Sequence, residues 1–85
     1  MLIVNDFRLI PVLLAKYLDR LGFATHTASN GREALEKFRR EEPERLISDA
    51  HLPGMNGLEL TRRVLETSDI PIVIMSAVSG YMEDD

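Results

Sequence analysis

Cysteine is absent from this 85-residue chain, which excludes both a disulfide framework and a thiolate metal site. Tryptophan is absent too, and aromatic residues make up only 6% of the sequence, so any core must be mainly aliphatic. No apolar run approaches the ~20 residues that span a bilayer. The opening Met1-Leu2-Ile3-Val4-Asn5-Asp6 turns acidic too soon for a signal peptide, so a cytoplasmic location without a membrane partner is expected. Positive charge is sparse: ten Lys and Arg stand against fourteen Asp and Glu, for a net charge of −4. Only Arg39-Arg40 and Arg62-Arg63 are adjacent, and both pairs fall in segments that read as helix. Nucleic acid backbones are held by clustered cations, so direct nucleic acid contact by this chain is not expected. What remains is the composition of a folded module, 45% hydrophobic and 28% charged, with no low-complexity tract. Eighty-five residues allow a single domain with a small core.

Short apolar runs alternate with helical periodicity. Residues 2–4 form a continuous apolar run ending in Asn5-Asp6, as a strand buried on both faces would. Over residues 8–21, Ile10, Leu14, Tyr17, Leu18 and Leu21 recur at steps of three and four, which predicts a helix with that face inward. Pro11 is tolerated near its first turn, and Gly22 is a natural stop. Residues 24–28 alternate small and polar side chains, as in a half-exposed edge strand. Asn30-Gly31-Arg32-Glu33 resembles a capping box, with Ala34, Leu35 and Phe38 as the apolar face of the helix that follows and Pro43 closing it. Leu46-Ile47 is the centre of a third strand with Asp49 at its carboxyl end. After the Pro53-Gly54 break, Asn56-Gly57-Leu58-Glu59 starts another helix, in which Leu60, Val64 and Leu65 are expected to face inward. Residues 72–75 form a fourth apolar strand ending at Ser76. The βαβαβαβ order implies a mainly parallel sheet with helices on both faces.

Open α/β sheets bind ligands beyond the carboxyl ends of their strands. Three strands deliver polar residues to that edge: Asn5-Asp6, Asp49 and Ser76. Converging carboxylates repel unless a cation lies between them, and hard oxygen donors select Mg²⁺. A carboxylate beside Mg²⁺ is able to attack phosphorus, giving an acyl phosphate. Singly, each residue has a plainer reading: Asp6 as a helix cap, Asp49 as a turn residue, Ser76 as a strand end. Their joint order and spacing favour chemistry.

The same residues carry a resemblance. Asn5-Asp6, then Asp49-Ala50-His51-Leu52-Pro53-Gly54-Met55-Asn56-Gly57, then Ser76-Ala77 are similar to the motifs of response-regulator receiver domains. Ala28-Ser29-Asn30-Gly31-Arg32-Glu33-Ala34-Leu35 also matches that family's turn into its second helix, and the likeness runs from Leu2 to about Val78. It implies a flavodoxin-like doubly wound α/β fold with strand order 2-1-3-4. The family's fifth strand and helix would be absent, making residues 1–85 one C-terminally incomplete domain. It implies Asp49 as phosphoacceptor and Asp6 as a direct Mg²⁺ ligand, with the His51 backbone carbonyl completing the set. Ser76 would be the switch hydroxyl and Ala77 the small residue beside it. The implied phosphodonor is a sensor histidine kinase.

Asn5 stands where the family usually has a second acid, so it would reach the metal weakly, through water. Arg45 and Ser48 interrupt what should be an apolar strand. The family's phosphate-binding Lys has no counterpart, since Tyr81-Met82 follows Ser76 too closely for a parallel crossover. His51 reads as an exposed loop residue before it reads as a base for dephosphorylation, and His26 as structural. The alternative function is a receiver-like interaction module that no longer switches by phosphorylation. A phosphatase of the haloacid-dehalogenase type is disfavoured, because it needs an Asp where His51 stands. With strand four at an edge, a homodimer or an exchange of elements through that edge is expected.

Overall fold

The structure, a computed structural model, describes residues 1–7 and 9–75. The elements run β1 Leu2–Val4, α1 Leu9–Arg20, β2 His26–Ala28, α2 Gly31–Glu41, β3 Leu46–Asp49, α3 Gly57–Leu65 and β4 Ile72–Met75. All pairings are parallel, in the order β2-β1-β3-β4. This is the expected doubly wound arrangement. Expectations that rest on Ser76 through Asp85, and on Arg8, lie outside the described residues.

Strand pleating sorts the apolar residues onto two faces. Leu2, Val4 and Leu46 join Ala34, Leu35, Phe38, Leu60 and Val64 in one core beneath α2 and α3. Ile3, fully buried, lies on the opposite face, where α1 packs against β1 and β2.

The helix boundaries have local causes. Gly22, at φ 95°, ends α1 in a Schellman motif: Phe23 N–H donates to the Leu18 carbonyl and Gly22 N–H to that of Asp19. Asn30 Oδ1 accepts from Glu33 N–H at 2.8 Å, capping α2. Glu33 reaches back past the cap and accepts from the Ser29 N–H at 2.7 Å and its hydroxyl at 3.0 Å. Asn56 caps α3 in the same way, but Glu59 turns outward to Arg62 and Arg63, so only half of the second box forms.

Several expectations need correction. β2 starts at His26 rather than residue 24: the Ala24 carbonyl accepts from the N-terminal ammonium, and the Thr25 hydroxyl donates to Asp19. Leu65 is exposed, because only Leu60 and Val64 lie on the inner stripe of α3. Arg45 precedes β3 rather than interrupting it, and lies over the Phe23 ring at 5.8 Å from the centroid. Ser48 is fully buried, and its hydroxyl donates to the Asp49 carbonyl at 2.9 Å. The face predicted for α1 is inward only in part. Leu14 and Leu18 are half-buried, but Ile10, Tyr17 and Leu21 remain exposed, because α1 covers only two of the four strands.

Candidate functional site

Register builds the site. Val4 pairs with Ser48, so the next residues, Asn5 and Asp49, lie side by side at the carboxyl edge of neighbouring strands. Both are 8% exposed, open to solvent only at that edge. Asp6 follows in the loop and is exposed, as is His51, two residues beyond Asp49. Asp49 is also in register with Met75, the last residue of β4, and Ala50 N–H donates to the Met75 carbonyl at 2.7 Å. The expected switch residue Ser76 lies outside the described residues.

Two backbone amides orient the side chains. His51 N–H donates to Asp49 Oδ1 at 3.1 Å, fixing the rotation of the carboxylate. Phe7 N–H donates to Asn5 Oδ1 at 2.8 Å, an Asx turn that starts the loop into α1. The amide at position 5 therefore has a structural task of its own. His26, the other histidine, is remote from this edge and lies 3.6 Å from Glu41.

The sequence did not disclose why two glycines are needed. A Cβ on Gly57 would collide with the carbonyl oxygen of Asp49, because the start of α3 runs directly against the Asp49–Ala50 backbone. A Cβ on Gly31 would press on the Met55 side chain, which joins the α2 turn to the loop after Asp49. Gly54 has φ 78° and follows Pro53, the pairing a type II turn requires. The loop motif thus holds the Asp49 backbone in place. A cleft of about 200 Å³ opens beside Asn5, between Val12 of α1 and Thr27 and Ala28 of β2. The larger cleft, about 660 Å³ between Pro43 and Pro71, is at the opposite edge of the sheet and contains none of the residues singled out for chemistry.

Among the described residues, no three Asp, Glu, His or Cys side chains group closely enough to hold a metal by themselves. The donor set expected from the sequence is different in kind: two carboxylates, Asp6 and Asp49, with a backbone carbonyl at His51. All are hard oxygen donors, and Mg²⁺ is commonly held by one or two carboxylates, with water and phosphate completing its shell. The residues fit such an ion, although with one acid fewer than a triad would supply.

The family model described as the response regulator receiver domain matches residues 1–84. The transcriptional regulatory protein AfsQ1 of Streptomyces coelicolor is 32% identical over 77 residues, which cover 91% of this chain and 34% of that protein. The autoinducer 1 sensor kinase/phosphatase LuxN of Vibrio campbellii is 36% identical over 85 residues, 99% of this chain and 10% of that protein. The chain therefore spans about a third of one curated relative and a tenth of the other. Among solved structures, response regulator protein TrrA of Thermotoga maritima, in complex with Mg²⁺-BeF, has a TM-score of 0.84 at 36% identity. The match covers 98% of this chain and 73% of that one. Chemotaxis response regulator CheY4 of Vibrio cholerae has a TM-score of 0.86 at 29% identity, covering 96% and 71%. Among the described residues no helix is long and apolar enough to cross a membrane.

Proposed function

The chain belongs to the response regulator receiver domain family, and on that premise we propose that it takes a phosphoryl group onto Asp49 and changes conformation in response. The observation that carries this reading is the placement of Asp49: a carboxylate 8% exposed, at the end of a central strand, its rotation fixed by the His51 amide.

The donor is the phosphohistidine of a sensor histidine kinase. A new O–P bond forms at Asp49, the P–N bond of the donor breaks, and the imidazole leaves with the electron pair and is protonated. With the His51 amide holding Oδ1, Oδ2 is the attacking oxygen. Mg²⁺ would be held by the carboxylates of Asp6 and Asp49 and the His51 carbonyl, with Asn5 reaching it through water. Bound there, the ion neutralises charge on the phosphoryl oxygens. Ser76 supplies the switch hydroxyl. The chain is a phosphoacceptor rather than a turnover enzyme, and it works in the cytoplasm. Among the described residues β4 has a ladder partner, β3, on one side only. Pairing of two copies through that edge, or exchange of an element between them, belongs to this reading.

A second reading, an interaction module that no longer switches, is favoured by Asn5, whose amide oxygen already serves the Asx turn. Beryllium fluoride, a phosphoryl mimic, separates the two. A ¹⁹F resonance for bound beryllium fluoride that needs Mg²⁺ and vanishes in Asp49→Asn supports the phosphoacceptor. No bound resonance at saturating Mg²⁺ supports the module.

A further inference from the structure

Two of the three asparagines in the chain are followed by glycine, at 30–31 and at 56–57, and both pairs open a helix. The fold imposes this pairing. Each helix takes a capping oxygen at its start, which Asn supplies, and neither following position has room for a side chain. A Cβ at position 31 would lie 2.8 Å from Met55 Cβ, and one at position 57 would strike the Asp49 carbonyl. Asparagine before glycine is also the pair most open to deamidation, because no side chain obstructs the glycine nitrogen as it turns on the Asn side-chain carbon. Asn5 is followed by Asp6, whose side chain shields that nitrogen.

The two pairs differ in the state of the glycine nitrogen. Gly57 N–H donates to the Ala50 carbonyl at 3.0 Å, a bond that holds its proton in place. Gly31 N–H belongs to the first turn of α2, where no helical acceptor exists, and it has no hydrogen-bond partner among the described residues. It also lies at the positive end of the helix, which favours loss of its proton. The side chains do not separate the pairs, since Asn30 Oδ1 and Asn56 Oδ1 each accept from the N–H three residues on, at 2.8 Å. We infer that Asn30 is a site of spontaneous deamidation and that the Gly57 bond protects Asn56. Hydroxide takes the Gly31 amide proton, and the nitrogen attacks Cγ of Asn30. A new N–C bond closes a succinimide, the bond from Cγ to the side-chain nitrogen breaks, and ammonia leaves with a proton from water. Water then opens the ring at either carbonyl. One product is aspartate, which keeps a capping oxygen and adds negative charge at the helix start. The other is isoaspartate, whose main chain is longer by a methylene and carries the cap away from the Glu33 N–H.

Ageing the full chain in mildly alkaline buffer, followed by trypsin and peptide mass spectrometry, tests this. Cleavage after Lys and Arg places Asn30 on peptide 21–32 and Asn56 on peptide 46–62, so each is read alone. A neutral hydrogen bond contributes about fivefold to a rate. Peptide 21–32 should therefore exchange NH for O about five times faster than peptide 46–62. In concentrated urea, where Gly57 N–H loses its acceptor, the two rates should converge. Isoaspartate methyltransferase with a labelled methyl donor should mark peptide 21–32 before peptide 46–62. Asn56 reacting as fast as Asn30 in the folded chain overturns the inference. So does a folded chain in which neither reacts while both react in urea.

Discussion

Gly57 lies where the start of α3 meets the backbone of Asp49, and no side chain fits between them. Gly57→Ala forces that contact apart, so it should cost about 1–3 kcal/mol, as overpacking does elsewhere. Urea denaturation reads the loss. Asn5 is the other residue on which the site turns. An Asp at that position is able to keep the Asx turn with Phe7 while adding a unit of charge beside the metal. Asn5→Asp should therefore tighten Mg²⁺ by roughly 1–4 kcal/mol, measured by calorimetric titration. Equal affinities would mean that position 5 does not face the ion. At this scale the positions of Asp49 at the end of β3 and of Asn5 at the end of β1 were legible in the sequence, because each follows an apolar run that reads as a strand. The demand for glycine at positions 31 and 57 was not, because it arises from contacts with Met55 and the Asp49 carbonyl that exist only in the fold.

The elements were legible wherever their signals are local. β1 and β4 are runs of apolar residues, β3 opens on Leu46-Ile47, and α2 and α3 begin at Asn caps whose bonds form as the sequence suggests. What periodicity does not say is how much sheet lies beneath a helix. α1 has an apolar flank wider than the two strands it covers, so Tyr17 and Leu21 stayed exposed where the spacing predicted burial. The cap of α2 also makes a pH prediction. The Ser29 amide, helped by the Ser29 hydroxyl and Lys37, holds the Glu33 carboxyl below the ordinary glutamate range. A depressed carboxyl contributes stability that is complete above its unfolded value and is lost as pH falls through its folded one. Protection against amide exchange at the start of α2, taken relative to the intrinsic rate at each pH, should therefore fall as acid titrates Glu33, and Glu33→Gln should flatten that dependence. A pH profile that is the same with Gln would show that the bond from Ser29 contributes nothing.

For the whole molecule, sheet order and the placement of Asn5 and Asp49 at its carboxyl edge were both readable in the alternation of strands and helices, since a parallel sheet leaves few ways to connect them. The lopsided core was not readable. Among the described residues, α2 and α3 bury one face of the sheet, while the other is covered only over β1 and β2. Phosphoryl transfer to the carboxyl edge is the central claim for this assembly of elements, and one measurement reaches it directly. The chain is incubated with acetyl phosphate and Mg²⁺, the acyl phosphate is reduced with borohydride, and the modified residue is located by peptide mass spectrometry. The account predicts modification at Asp49, dependent on Mg²⁺ and absent from Asp49→Asn. Modification at another carboxylate, or none while Mg²⁺ is bound, would contradict it.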